Sequence, residues 1–173
     1  MGFYRKKNSM YIFRKSKLIF INTIILMFLI FSSCNKENDS NIIFTENELV
    51  IKVIDGDTFY IKNDEKVRLI GIDTPEIGNE YGDDQPYSQE AKNFTRNLIE
   101  GKEVKLVKDI SDRDRYNRLL RYVYMNDGTF LNELLVKEGF AKSIEYKPDI
   151  RFTDILNSAQ KYAKKNNRVI WSD

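Results

Sequence analysis

Leu49-Val50-Ile51-Lys52-Val53-Ile54-Asp55-Gly56-Asp57-Thr58-Phe59-Tyr60-Ile61 is the stretch from which the fold can be read. β-Branched and aromatic residues crowd 49–54 and Thr58–Ile61, and Asp55-Gly56-Asp57 separates them as a turn, so two strands are predicted. A third, 67–72, follows the polar turn Asn63-Asp64-Glu65-Lys66, and 104–107 and 119–124 supply a fourth and a fifth. Helical spacing appears in 87–99, through Ala91, Phe94 and Leu98, with Gly101 as a stop. It recurs in 130–138, through Leu131, Leu134 and Leu135, with Gly139 at its end. The clearest stripe is in 152–165: Phe152, Ile155, Leu156, Ala159, Tyr162 and Ala163, with Lys164 and Lys165 at the negative helix end. Strands first and helices among the later ones, in about 125 residues, predict a β+α domain: a closed five-stranded, OB-fold-like barrel carrying three helices.

The same stretch carries acid chemistry. With its turn centred between Asp64 and Glu65, the hairpin would set Thr58 opposite Gly71 and Asp57 opposite Ile72. Asp57 and Asp73 then share one end with Asp55, Thr74 and Glu76. Four carboxylates so placed repel and raise one another's pKa unless a cation intervenes. A hard divalent ion with oxygen ligands meets that need. Asp55-Gly56-Asp57-Thr58 alone is also a plain turn, and Asp73-Thr74-Pro75-Glu76 alone a strand exit. Their convergence is what favours a metal.

Planar guanidinium forks suit phosphate oxygens. The candidates are Arg68 and the group Arg113, Arg115, Arg118 and Arg121, which could equally be a solvated loop face. On a straight strand Arg68 would lie about 17 Å from Asp73. Only strong coiling, at Gly71 for instance, would bring it to the carboxylates. The chain has no histidine, so a His base or His metal ligand is excluded.

Three ordered segments resemble the staphylococcal nuclease (thermonuclease) family: Val53-Ile54-Asp55-Gly56-Asp57-Thr58, Arg68-Leu69-Ile70-Gly71-Ile72-Asp73-Thr74-Pro75-Glu76 and Asp114-Arg115-Tyr116-Asn117-Arg118. Tyr146-Lys147-Pro148 and Ile170-Trp171-Ser172 are similar to it as well, so the likeness runs from about 49 to 171. The resemblance implies one Ca²⁺, held by the Asp57 and Asp73 carboxylates and the Thr74 carbonyl, with Asp55 nearby. It implies that Glu76 positions or deprotonates the attacking water, and that Arg68 and Arg118 hold the phosphate. Arg115 and Tyr116 would fix a terminal phosphate, and Tyr146 would pack on a base or sugar. The implied reaction is cleavage of DNA or RNA at the P–O5′ bond to give 3′-phosphates, by a monomer that needs no protein partner. Against this stands a barrel that only grips nucleic acid at the envelope, with little catalysis. Asn117 stands where the family has glycine, and 141–146 is one residue short, with Ile144 nearest to an expected tyrosine. The loop 77–86, with Glu80, Asp83 and Asp84, is acidic.

Residues 1–33 carry Arg5, Lys6, Lys7, Arg14, Lys15 and Lys17 and no acid, ahead of an apolar run at 18–31. Fourteen helical residues span about 21 Å, short of a bilayer core, so a secretory signal is expected rather than a permanent span. Cys34, the single cysteine, follows Ser32-Ser33 and resembles the lipid-attachment cysteine of bacterial lipoproteins. It excludes an internal disulfide. Residues 34–47 are expected to be a polar linker and 48–173 the nuclease-like domain, outside the cytoplasm, lipid-anchored at the envelope membrane or secreted. Without the six basic residues of 1–33 the formal charge moves from +2 to −4. Nucleic-acid contact must then be local, not a general basic coat.

Overall fold

The computed structural model describes residues 44–78 and 82–172, all within the unit that spans 42–173. The expected signal 1–33, Cys34 and the linker as far as residue 43 lie outside the described residues. Among those described, no helix is long and apolar enough to cross a membrane.

The described residues form seven strands: β1 Phe44–Val53, β2 Thr58–Ile61, β3 Lys66–Leu69, β4 Ile72–Asp73, β5 Glu103–Val107, β6 Leu119–Met125 and β7 Lys142–Ser143. Five close into a barrel in the order β1-β2-β3-β6-β5, and β4 and β7 form a separate pair. The expected five-stranded barrel is therefore the one observed. β1 starts at Phe44, inside the expected linker and five residues ahead of the expected strand. Its early part pairs with β5 and its later part with β2, with a register shift in each pairing. Such irregularities let one strand bend through the corner that closes a barrel.

The β2–β3 hairpin departs from the expected register. Thr58 faces Arg68, not Gly71, and Phe59 faces Val67. The turn is a tight one over Lys62–Asp64, closed by Ile61 N–H donating to the Glu65 carbonyl at 2.9 Å. Asn63 and Asp64 take left-handed φ values of 60° and 57°. Asn and Asp tolerate that region better than other side chains, which lets the chain reverse sooner than an Asp64/Glu65 centre would allow.

The expected strand 67–72 is also broken in two. Gly71 has φ +77°, and a Cβ there would lie 2.7 Å from Leu156 Cδ1. Asn132 holds the break: its Nδ2 donates to the Ile70 carbonyl at 2.9 Å, and its Oδ1 accepts from Val123 N–H at 3.0 Å.

Three helices pack on the barrel: α1 Ser88–Ile99, α2 Leu131–Lys137 and α3 Thr153–Lys165. α1 buries Ala91 from the expected stripe together with Ser88, Thr95 and Ile99, and Phe94 and Leu98 of that stripe pack partly buried against the core. In α3, Leu156, Ala159 and Ala163 are buried, while Ile155 and Tyr162 stay exposed although both fell on the expected stripe. The core is continuous, running through Val50, Phe59, Leu69, Ile72, Tyr122 and Leu135. Burial of each such side chain contributes about 1.5–3 kcal/mol.

Candidate active site

The turn Asp55-Gly56-Asp57 and the break at Gly71 put two acidic segments in contact. A Cβ on Gly56 would fall 2.7–2.8 Å from three atoms of the Thr74 side chain, so only glycine permits this approach. Thr95 on α1 donates its hydroxyl to the Gly56 carbonyl at 2.7 Å and pins the turn from beneath. Asp57 is 2% exposed. Its Oδ2 accepts from Thr74 N–H at 3.1 Å, its Oδ1 from the Thr58 hydroxyl at 3.0 Å, and its own N–H donates to Asp55 Oδ1.

Arg68 joins these carboxylates because the strand does not stay straight. Its Nη2 lies 3.0 Å from Asp57 Oδ2 and 3.0 Å from Asp73 Oδ1. Its Nη1 donates to the Leu69 and Ile72 carbonyls at 2.7 and 2.8 Å. One guanidinium thus spans the break and bridges two acids, and the distance of a straight strand does not apply.

Glu76 follows on the next segment and is braced by a residue that sequence reasoning missed. Gln85 Oε1 accepts from Glu76 N–H at 3.1 Å, and Gln85 N–H donates to the Glu76 carbonyl at 3.0 Å. This pair closes the base of the loop between them. Its only signal in the sequence was an amide side chain next to Pro86 at the loop's far end.

Arg118 is held by Asp114, quoted within a motif but given no role. Arg118 Nε donates to Asp114 Oδ2 at 2.7 Å, while Asp114 Oδ1 accepts the backbone N–H of Tyr116 and Arg118 at 2.9 and 3.0 Å. Asn117 takes φ 63°, so it meets the left-handed demand of the position where glycine was expected. The Arg115 guanidinium lies 4.7 Å from the Tyr116 ring centroid and donates to its hydroxyl at 2.6 Å. The Arg118 guanidinium lies 5.5 Å from the same centroid. Arg113 and Arg121 are taken up elsewhere, by Glu65 and Asp112.

Tyr146 has no hydrogen bond to the acids or arginines of the centre. Its ring is exposed, and its carbonyl accepts from Asp149 N–H at 2.7 Å. Asp149, buried, accepts from Ile110 and Ser111 N–H at 2.9 and 2.7 Å and so ties the Tyr146 turn to the loop that leads to Arg115 and Arg118.

The electrostatics follow from this crowding. Burial pushes the Asp57 carboxyl up to about 6, against the pull of Arg68 and with Asp55 adding to the rise. Burial also raises Asp73, again opposed by Arg68. Glu76 is raised by burial and then by Asp57 and Asp73, with Arg68 and Arg118 pulling the other way. Asp114 moves down, because hydrogen bonds from Arg118 and Tyr116 outweigh the cost of its burial.

A raised carboxyl favours the fold while protonated, and that contribution is lost as pH climbs through the folded value. For Asp57 the full effect is of the order of 3 kcal/mol. In chelator, Tm is therefore expected to fall as pH rises from about 4 to about 6, the interval between the ordinary and the folded value, and Asp57→Asn to remove much of that fall. A wild-type Tm that holds level or rises across this range in differential scanning calorimetry would contradict a carboxylate whose burial outweighs its pairing with Arg68.

The donor set suits a hard cation in type, with two carboxylates and a carbonyl all of oxygen. It is sparse in number: no three acids among the described residues come together as a metal cage. An ion here would take Asp57, Asp73 and the Thr74 carbonyl and complete its shell with water.

Carboxylates beside well-held guanidinium groups, on a barrel in a chain without histidine, are the equipment of a hydrolase that works on phosphate esters. Comparison with known proteins makes this specific. The staphylococcal nuclease homologue family matches residues 66–173. A thermonuclease of Staphylococcus hyicus is 41% identical over 127 residues, covering 72% of this chain and 75% of that protein. A thermonuclease of Staphylococcus intermedius is 38% identical over 160 residues, covering 88% and 95%. Endonuclease YncB of Bacillus subtilis is 35% identical over 131 residues, covering 73% and 62%. The chain belongs to the staphylococcal nuclease family and is a nuclease.

Proposed function

We propose that this nuclease is Ca²⁺-dependent, breaks the P–O5′ bond of DNA and RNA to leave 3′-phosphate ends, and works outside the cytoplasm. The observation that carries the reading is the single Arg68 nitrogen 3.0 Å from both Asp57 and Asp73, two acids raised by burial at the place where a cation would sit. When bound, Ca²⁺ supplies positive charge for those carboxylates and for a phosphate oxygen. Arg68 and Arg118 grip the remaining phosphate oxygens and stabilise the charge that grows on them. Glu76 orients the attacking water and takes its proton, a role its raised pKa suits. Overall one water is consumed. Its hydroxyl stays on phosphorus as part of the 3′-phosphate, and the displaced 5′ oxygen gains a proton. Arg115 and Tyr116 hold the next phosphate, and the exposed Tyr146 ring packs on a base.

Plasmid DNA and RNA are expected to be cut in Ca²⁺ and left whole in excess chelator. The new DNA ends should refuse primer extension until phosphatase is added. Cutting in chelator, or ends extendable without treatment, would overturn the metal or the bond assignment respectively.

Residues 1–33 act as the export signal in this reading, and Cys34 carries the lipid that holds the enzyme at the envelope. Support comes from the basic start, the short apolar run and Ser32-Ser33-Cys34. Cys34→Ala is expected to move the protein from the membrane pellet to the soluble fraction. Continued pelleting would point to an uncleaved anchor.

A further inference from the structure

A nucleic-acid strand leaves a cleavage site in two directions, and the residues named so far serve one of them. Arg115, Tyr116 and Tyr146 lie on the 108–118 loop and the turn tied to it. A cavity of about 260 Å³ begins at Asp73 and Thr74 themselves. It is also lined by Gln85, Tyr87, Lys142 and Ile170, and by none of Arg68, Arg115, Tyr116, Arg118 or Tyr146. We propose that this cavity is the subsite for the nucleotide that keeps the phosphate after cleavage, with Tyr87 stacking on its base and Lys142 holding the phosphate on its 5′ side. The assignment rests on the proposed P–O5′ cleavage.

Tyr87 is set for such a surface. It stands just ahead of α1 with φ +68°, a conformation costly for a tyrosine and of the kind that clusters at ligand sites. The residue is 38% exposed, while its hydroxyl is tied to Ser172 Oγ at 3.2 Å. The side chain is therefore held at its hydroxyl end and stays partly exposed, as a residue that stacks on a base would be. Lys142 sits on β7 directly opposite Asp73 in the β4–β7 pair, and its side chain is exposed. It places a cation one strand away from the metal-site acid, on a domain whose overall charge gives phosphate no general attraction. Gln85 forms another wall and braces Glu76 by the same bonds described above, so a base seated here would press on the segment that carries the water-handling acid.

Product inhibition tests the assignment. Thymidine 3′-phosphate would put its base in this cavity, and thymidine 5′-phosphate would put its base on the Tyr116 side. Tyr87→Ala is expected to raise the inhibition constant of the 3′-phosphate about tenfold and that of the 5′-phosphate less than twofold. Tyr87→Phe, which keeps the ring and loses the Ser172 bond, is expected to recover most of the lost affinity. Lys142→Gln is expected to weaken a thymidine dinucleotide with a terminal 3′-phosphate severalfold more than the mononucleotide, which lacks the upstream phosphate. Should Tyr87→Ala fail to fold, the exposed Lys142→Gln carries the test. Equal weakening of both mononucleotides, or no change in any inhibitor, would overturn the subsite. The chemistry of the product ends, read in the same reactions, decides the bond assignment separately.

Discussion

Arg118→Lys is expected to lower kcat on single-stranded DNA by about a thousandfold, with a smaller change in KM. Arg118 spends Nε on Asp114 at 2.7 Å, and neither terminal nitrogen has a hydrogen-bond partner among the described residues. Asp114 in turn is fixed by two backbone N–H groups of the same turn. The guanidinium is thus oriented by one edge and offers the other to a phosphate, and no rearrangement is needed as charge builds on the oxygens. A lysine has a single ammonium, which can stay with Asp114 or reach the phosphate but cannot do both. Because the missing contact matters most in the transition state, the loss falls on kcat. The fold should notice little, since a partly exposed ion pair contributes about 1 kcal/mol or less. A loss under tenfold in steady-state kinetics would remove Arg118 from the reacting phosphate.

Arg68 shows where sequence reasoning stopped. The barrel was legible because the β-branched and aromatic content of Thr58–Ile61 and the Asp-Gly-Asp turn are local signals. Arg68's place was not, because it depends on two backbone conformations and one long-range contact. The turn closes early through left-handed Asn63 and Asp64, and the strand breaks at Gly71. Asn132, sixty-two residues downstream of Ile70, holds that break from α2. Periodicity sees none of these. The exposed Ile155 and Tyr162 fail the other way: their spacing is apolar, but α3 buries only the narrower row Leu156, Ala159 and Ala163. Gln85 and Asp114 stayed hidden because a residue that positions another has no composition of its own. The carboxylates could be found because Asp-Gly-Asp and Asp-Thr-Pro-Glu are compact acidic segments, although Asp57 and Asp73 meet through the break at Gly71 and the Arg68 bridge and not through the expected hairpin register.

Glu76→Gln is expected to lower kcat by about a hundredfold to ten-thousandfold, the range for losing a positioned general base. The same change is expected to leave the protein as stable as before or slightly more so. Both outcomes come from one arrangement. Glu76 is raised by burial and by Asp57 and Asp73, so its charge at neutral pH opposes folding. Glutamine keeps the shape and removes that charge. The braces to Gln85 run through the Glu76 backbone and survive the substitution. What glutamine cannot do is take a proton from water. A side chain present only to fill space or pair with an arginine would lose stability when neutralised and would keep turnover. Measuring Tm and kcat on the same preparation separates the two cases. A variant with unchanged turnover, or one that loses both activity and stability together, would mean that the attacking water is handled by another group.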